Sequence, residues 1–373
     1  MDSKKPILIF AVNDLLVGGV QRLYIDLCKQ GFPEYEVHLV TLFKFPSKHE
    51  WFDAVPSQVV VHQFNFKNFR DMSEWVRLAR LLRRLGPAVI VSSLFFSNTV
   101  TRVLGFCMRI PVIAIEHNTY TGKTPNQQRV DRLLAHATYR IVAVSKTVLE
   151  FTARQERIPK EKFVLIHNGV DLAALDTAAR AADPAATRAA IGLSSQQRLV
   201  VAVGRLTEQK NPEALIKGFI DFHTAHPEYV LALAGQGKLQ ESLKELITTH
   251  GAGGYIKLLG ARNDVAALCR ASDFFVSTSH IEGFGLAHAE ALRCGIPVLT
   301  TKTAGPDEMI IEGENGLFLQ DGTPEAVARG LERMTTTTFS APEHIAASVE
   351  RFSIIKAAAA YRALIAQTIN RHA

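Results

Sequence analysis

A chain of 373 residues is too long for a single hydrophobic core and implies two domains. Its 47% hydrophobic and 21% charged content is that of a soluble globular protein and excludes disordered and fibrous classes. The formal net charge of +6 is uneven: residues 1–171 carry 23 Lys/Arg against 15 Asp/Glu (+8), residues 172–373 carry 19 against 21 (−2).

The first apolar run, Pro6 to Val12, is stopped by Asn13-Asp14. That is too short for a signal core or a membrane span, so it reads as a buried strand. A helix starting near Gly19 follows, with Val20, Leu23, Tyr24 and Leu27 on one face. Strands are then predicted at 36–42 and 59–64, a helix at 72–85, and a strand at 89–92. A helix at 98–107, a strand at 112–116, a helix at 126–136 and a strand at 141–145 complete the first half. Residues 172–198, rich in Ala and broken by Asp183-Pro184, read as a linker region. The alternation then restarts with strands at 199–203, 229–234, 256–259, 274–278, 298–300 and 316–319. Helices are expected after Pro212, at 239–250, at 265–271 and from Leu286, with further helices at 345–349 and 353–369. Short apolar strands separated by helical patterns predict two α/β domains with parallel sheets, ligands binding at the carboxyl ends of the strands.

The four cysteines are far apart and form no C-x-x-C pair, as expected of reduced thiols in a cytoplasmic protein. The basic first half fits an anionic partner such as lipid headgroups or a lipid-linked diphosphate. Zinc-finger spacing, a ribonucleoprotein motif and a long Lys/Arg tract are all absent, so nucleic acid is not expected. The helix at 72–85 is amphipathic and basic, with Trp75, Leu78, Ala79, Leu82 and Leu85 in one stripe. It suits either packing on the first sheet with its arginines in water, or docking on an anionic membrane.

The most informative stretch is Glu282-Gly283-Phe284-Gly285-Leu286, followed by Glu290 and by Gly295-Ile296-Pro297-Val298. It lies where a strand passes into a helix, a geometry in which backbone N–H groups hold an anion. Gly283 and Gly285 permit close backbone approach. Carboxylates flanking such a loop would accept hydrogen bonds from hydroxyl groups while the loop holds phosphate, and a sugar nucleotide presents both kinds of group. A second motif, Gly204-Arg205-Leu206-Thr207-Glu208-Gln209-Lys210-Asn211-Pro212, follows the first strand of the second half. There Arg205 offers a planar fork and Lys210 a point charge for a diphosphate.

Together these runs resemble the acid-x7-acid and G-R-x-x-x-x-K-N segments of retaining GT-B glycosyltransferases, the group 1 (family four) set. The resemblance implies a GT-B fold, two Rossmann-like domains with parallel sheets facing across a cleft and a C-terminal helix crossing back to the first domain. The boundaries expected are 1–171 for acceptor binding, 172–352 for the nucleotide sugar, and 353–373 for the returning helix. By the same resemblance Glu282 lies against the donor sugar and is expected to be catalytic, and Glu290 holds the ribose. Arg205 and Lys210 neutralise the diphosphate, and Gly283, Phe284, Gly285 and Leu286 contact sugar and phosphate. His117, in Glu116-His117-Asn118-Thr119 at a strand end, matches the family's cleft histidine, for which a catalytic role is expected. Gly18 and Gly19 match a loop that approaches donor phosphate or acceptor; Asn98 and Asn118 are candidate acceptor contacts. His167-Asn168-Gly169-Val170-Asp171 resembles the hinge-side segment.

The chain departs from the family at Thr303-Ala304-Gly305-Pro306-Asp307-Glu308, where Gly-Gly-x-Pro-Glu is common. This form resembles members using UDP-linked hexoses or N-acetylhexosamines. The expected activity is therefore transfer of such a sugar to a hydroxyl of a glycan or lipid-linked saccharide. It would occur in the cytoplasm or at the inner face of its membrane. No Asp-x-Asp occurs, so no metal and no cofactor are expected, the nucleotide sugar being a substrate. Two alternatives remain open, a sugar-nucleotide 2-epimerase on the same fold and a non-catalytic nucleotide-sugar binder.

Overall fold

The computed structural model describes residues 5–16, 18–44 and 52–372. Two compact units emerge, one of residues 1–169 with 354–373, the other of residues 170–353.

The first unit runs β1 (Ile7–Val12), α1 (Gly19–Gln30), β2 (Glu36–Thr41), β3 (Val60–Gln63), α2 (Met72–Leu85), β4 (Val89–Ser93) and α3 (Phe95–Met108). It continues through β5 (Val112–Glu116), α4 (Pro125–His136), β6 (Arg140–Ala143), α5 (Lys146–Glu156) and β7 (Phe163–Leu165). All strands are parallel, in the order β3-β2-β1-β4-β5-β6-β7. Strands β1, β4 and β5 are buried throughout, which is why they read as unbroken apolar runs. The chain reverses direction across the sheet between β1 and β4, and the carboxyl ends of those strands form the crevice where doubly wound sheets bind ligands.

Helix α2 buries Leu78, Leu81 and Leu82, so its apolar stripe is core, while Arg77, Arg80, Arg83 and Arg84 stay exposed. Met72 and Val76 are exposed on the same helix.

The second unit opens with α6 (Leu172–Ala181) and α7 (Pro184–Ala190). These replace the expected linker. Asp171 caps α6 through the Ala174 N–H at 3.0 Å, and Asp183 caps α7 through the Ala185 and Ala186 N–H groups, with Pro184 at the first helical position. Arg293 binds Asp176 at 2.6 and 2.7 Å and ties α6 to the body of the unit.

There follow β8 (Arg198–Val203), α8 (Pro212–Ala225), β9 (Tyr229–Ala234), α9 (Gln240–Thr249), β10 (Ile256–Gly260), α10 (Val265–Arg270) and β11 (Phe274–Ser277). The unit closes with α11 (Leu286–Arg293), β12 (Val298–Thr301), α12 (Pro306–Met309), β13 (Gly316–Leu319), α13 (Pro324–Thr336) and α14 (Pro342–Ala347). The parallel order β10-β9-β8-β11-β12-β13 repeats the first sheet's reversal, here between β8 and β11.

The last helix, α15 (Ile354–Asn370), packs within the first unit against α1. Arg362 donates to the carbonyls of Gln30 and Gly31 at the end of α1, at 3.0 and 2.5 Å, and covers the Phe32 ring. Among the described residues no helix is long and apolar enough to cross a membrane.

Candidate functional site

In the second unit, the carboxyl end of β8 enters the loop Gly204-Arg205-Leu206-Thr207 and a short 3-10 turn at Glu208–Lys210. Asn211, left-handed at φ 50°, turns the chain into α8 and donates its Nδ2 to the Gly322 carbonyl at 2.8 Å. The neighbouring loop leaves β11 as Thr278-Ser279-His280-Ile281-Glu282. The Thr278 hydroxyl donates to the Asn211 carbonyl at 2.8 Å. Gln209 Nε2 donates to the Ile281 carbonyl, and the His280 N–H to the Gln209 carbonyl, both at 2.9 Å. These bonds lace the two loops together at the sheet reversal.

As a result Lys210 pairs with Glu282, the side chains 24% and 12% exposed. The Ser279 hydroxyl donates to the same carboxylate oxygen at 3.0 Å. Burial alone would raise the Glu282 carboxyl. The ammonium of Lys210, the imidazole of His288 and the two hydrogen bonds outweigh it and hold the group below the usual carboxylate range.

Beside the pair lies an open pocket whose walls include Gly204, Arg205, Leu206, Lys210, Thr278 and Ser279. Arg205 is exposed and has no ion-pair partner among the described residues. A pocket at a sheet reversal, with one unpaired guanidinium and one ammonium that keeps further N–H donors, suits an anion. Among the described residues no group of three His, Cys, Asp or Glu side chains is placed to hold a metal ion.

Helix α11 begins just beyond Glu282. Gly285 precedes it at φ 83°, a left-handed conformation that favours glycine, and supplies no side-chain cap. The first N–H groups of α11 are thus left for another acceptor. Phe284 contributes no side chain to this; its ring is buried edge-on against Phe352. The loop is supported from below by His288, 1% exposed, whose Nε2 lies 2.9 Å from the Thr300 hydroxyl. Burial pulls its imidazole down to about 4, so it is neutral at pH 7. Glu290, about one turn from the start of α11, is half-buried, and its charge reaches the buried thiols of Cys269 and Cys294. Glu282, Gly283, Phe284, Gly285, Leu286 and Glu290 are not among the residues lining the pocket; Glu282 joins it only through its pairing with Lys210.

One element is absent from the motifs read in the sequence. Gly235-Gln236-Gly237 follows β9, and its backbone lies against the Arg205 loop: Gly204 donates its N–H to Ala234 and Leu206 to Gln236, both at 3.0 Å. A Cβ on Gly235 would fall 1.8 Å from the Gly204 carbonyl oxygen, so only glycine lets the loops stack. Two glycines straddling one residue after a strand were the available signal. The divergent Thr303–Glu308 segment likewise packs by its backbone, since a Cβ on Gly305 would fall 1.9 Å from the Phe284 carbonyl oxygen.

In the first unit His117 follows β5 and is buried, with Nε2 2.9 Å from the Ser93 hydroxyl at the end of β4. Ser93 in turn lies 2.6 Å from the Tyr24 hydroxyl on α1. Burial pulls the His117 imidazole down to about 3. Gly18 and Gly19 sit at the start of α1, Gly18 with extended backbone open to any residue. Arg22 pairs with Asp26. Asn98 is fully buried and spends its side chain on the Ser92 hydroxyl and the Ile115 carbonyl, which corrects its reading as an acceptor contact. Asn118 accepts from the Thr119 N–H.

The loop carrying His117 returns through Lys123, buried among Glu116, Asp131 and Glu156 at 3.5, 2.9 and 2.5 Å, with Arg102 also on Asp131. The hinge-side segment lies at the boundary between units, which falls after Gly169.

Family models cover most of the chain: "Glycosyltransferase Family 4" matches residues 17–174 and "Glycosyl transferases group 1" matches residues 184–348. An uncharacterized glycosyltransferase of Methanocaldococcus jannaschii is 28% identical over 61% of this chain and 60% of its own length, less than two thirds of that relative. The UDP-Gal:alpha-D-GlcNAc-diphosphoundecaprenol alpha-1,3-galactosyltransferase of Escherichia coli is 24% identical over 73% of this chain and 72% of its own. Among solved structures, Anabaena HepE in complex with UDP superposes with a TM-score of 0.82 at 20% identity, covering 97% of this chain and all of that one (100%). At that identity the likeness speaks for the fold, two parallel-sheet α/β units of GT-B type.

Proposed function

We propose, for a chain that belongs to the group 1 glycosyltransferases, that it transfers a hexose or N-acetylhexosamine from a UDP-linked donor with retention of anomeric configuration. The observation that carries this is the meeting of Arg205, Lys210 and Glu282 at the reversal of the second sheet. The cations would take the diphosphate, Glu282 the sugar, Glu290 the ribose, and the amides of Phe284, Gly285 and Leu286 sugar and phosphate. His117 is proposed as a donor-sugar contact, and Gly18-Gly19 as a close-approach loop.

Retention by front-face substitution needs no separate protein base. The bond from the anomeric carbon to the phosphate oxygen breaks as the acceptor oxygen bonds to the same face. The acceptor's proton passes to the departing phosphate oxygen, leaving nucleoside diphosphate. Charge accumulating on that phosphate is offset by Arg205, Lys210 and the start of α11, which makes divalent metal dispensable in this reading.

The acceptor we propose is a glycan or lipid-linked saccharide hydroxyl; the relative named above acts, by its name, on a diphosphoundecaprenol-linked sugar. Exposed Met72 and Val76 beside Arg80, Arg83 and Arg84 on α2 support peripheral contact with an anionic inner membrane face. Incubation with UDP-hexoses and simple saccharide acceptors, followed by NMR of the product's anomeric proton, tests the proposal. The same anomer as the donor is expected. An inverted product, or turnover of donor to an epimer without acceptor, would overturn it.

A further inference from the structure

His117, Ser93 and Tyr24 form one buried hydrogen-bonded chain whose direction can be worked out from proton bookkeeping. The side chains come from three elements, α1, the end of β4 and the loop after β5. They are separated by 69 and 24 residues in sequence. Tyr24 and Ser93 are each 0% exposed, and His117 is 7% exposed.

The Tyr24 phenol has one proton and one described partner, the Ser93 oxygen. Burial pushes the phenol well above its ordinary range, so the proton stays on it. The Tyr361 hydroxyl is near enough to act on Tyr24 electrostatically but hydrogen-bonds to nothing among the described residues. Tyr24 therefore donates to Ser93. The Ser93 proton has one described acceptor, His117 Nε2, and is donated to it. A neutral imidazole carries a single N–H, so an accepting Nε2 places that proton on Nδ1.

The opposite direction is worse by one group. With His117 donating from Nε2, either Ser93 donates to Tyr24 and strands the Tyr24 O–H, or Ser93 accepts from both and its own O–H has no described acceptor; Nδ1 is bare in either case. Each such orphan costs about 1–3 kcal/mol. In the favoured direction one buried group lacks a partner, His117 Nδ1, which no described residue satisfies.

The backbone beside Ser93 supports a built arrangement. Leu94, the next residue, has φ 73° and ψ 148°, a region essentially reserved for glycine. Such a conformation persists only where its surroundings over-determine it. Here Ser93 is held by Tyr24 and His117. Four residues on, Ser97 is bound through both its N–H and its hydroxyl to Asn13 Oδ1, at 3.1 and 2.7 Å.

We infer that Tyr24 and Ser93 are positioning residues that fix His117 as its Nδ1–H tautomer, so that it offers a hydrogen-bond donor to an oxygen of the bound substrate. The inference deepens the proposed function and rests on it for the identity of that substrate. It also narrows the chemistry of His117. A proton-bearing Nδ1 cannot accept the acceptor hydroxyl's proton, so the side chain contacts an oxygen and does not act as the base. Sugar hydroxyl and phosphate oxygens share the required chemistry.

The test is a long-range nitrogen–proton correlation spectrum of the full chain labelled with 15N-histidine, the His117 signals being assigned by their loss in His117→Gln. In the free protein a protonated Nδ1 and bare Nε2 are expected; protonated Nε2 would overturn the inference whether or not the enzyme assignment holds. Ser93→Ala should release the lock, giving mixed or Nε2–H tautomer, while Ser93→Thr should retain Nδ1–H. Tyr24→Phe should shift the population towards Nε2–H and lower kcat/KM about tenfold, the loss of about one hydrogen bond. An unchanged tautomer in both Tyr24→Phe and Ser93→Ala would overturn it; should either variant fail to fold, the wild-type spectrum still decides. Adding UDP and then UDP-glucose should move the Nδ1 signal. Movement with UDP alone assigns a phosphate oxygen, and movement only with UDP-glucose assigns a sugar oxygen. No movement with either, in enzyme that turns over that donor, would remove the substrate-facing role.

Discussion

Lys210 and Glu282, 72 residues apart, meet as an ion pair in the second unit, one from each loop that flanks the reversal of its sheet. The pair is preformed and most of its surface is shielded from water. An ammonium has three donors, so Lys210 can keep Glu282 and still meet an anion. The carboxylate is thereby held ionised and fixed in place, which suits the proposed acceptance of hydrogen bonds from sugar hydroxyls.

Removing one partner strands the other. Lys210→Ala should lower kcat/KM about 100- to 1000-fold, the range for deleting one preorganised stabiliser of developing charge, while the protein stays folded. Glu282→Gln should also lower it strongly. The double variant should lose less than the product of the two single losses, because each single change already breaks the pair. Steady-state kinetics and circular dichroism check this; fully multiplicative losses would separate the two residues' roles.

The buried cluster under the His117 loop should make stability fall with rising pH. Two cations, Arg102 and Lys123, face three carboxyls, Glu116, Asp131 and Glu156, so one proton is retained. Burial, then the neighbouring Glu116, pushes Glu156 from 4.5 up to about 8, despite Lys123. A carboxyl raised in the folded state binds more protons there than in the unfolded chain. Its contribution is full below pH 4.5 and is lost as the pH rises through about 8. Thermal melts between pH 5 and 8 should show Tm declining, and Glu156→Gln, which imitates the protonated form, should flatten the slope.

Glu282 has the opposite sign. Its carboxyl is held below the ordinary range, so its pairing contributes stability above that range and loses it as the pH falls through the lowered value. Glu282→Gln should therefore be less sensitive to acid than the wild type in melts taken below pH 5.

Leu94→Gly should raise Tm. Relief of the strained backbone is worth about 1–3 kcal/mol, against about 0.5–1 kcal/mol of extra entropy that glycine loses on folding. A lower Tm would show that the Leu94 side chain contributes more by packing than its backbone loses by strain.

The alternation of short apolar strands and helical periods foretold both parallel sheets, because strands buried on both faces have no polar alternation to obscure them. Helix α5 escaped this reading. It buries Thr152 and Glu156 beside Val148 and Ala153, so its inner face is partly polar, and Glu156 is inside only because Lys123, 33 residues earlier, receives it. Residues 172–198 looked like a linker because alanine gives no apolar contrast; the capping aspartates at 171 and 183 were the usable sign. Helix α13 does carry a local signature, since Thr323-Pro324-Glu325 starts it and Val327, Leu331 and Met334 repeat at helical spacing. At the candidate site, the motifs supplied Arg205, Lys210 and Glu282 as separate residues. Their pairing, like the Tyr24–Ser93–His117 chain, depends on loops brought together by the sheet order and has no local signature.

Chelation should leave catalysis intact. If Arg205, Lys210 and the α11 terminus offset the leaving phosphate as proposed, EDTA-treated enzyme assayed with a UDP-sugar should retain its kcat. Abolition by EDTA and recovery with Mg²⁺ would contradict metal independence.

The most direct measurement is thermal unfolding with and without UDP, in EDTA, for the wild type, Arg205→Ala and Lys210→Ala. The account predicts that UDP raises the wild-type Tm without any divalent ion, and that each substitution largely removes the shift. A wild-type Tm indifferent to UDP, or a shift that survives both substitutions, would contradict a diphosphate held by these two cations.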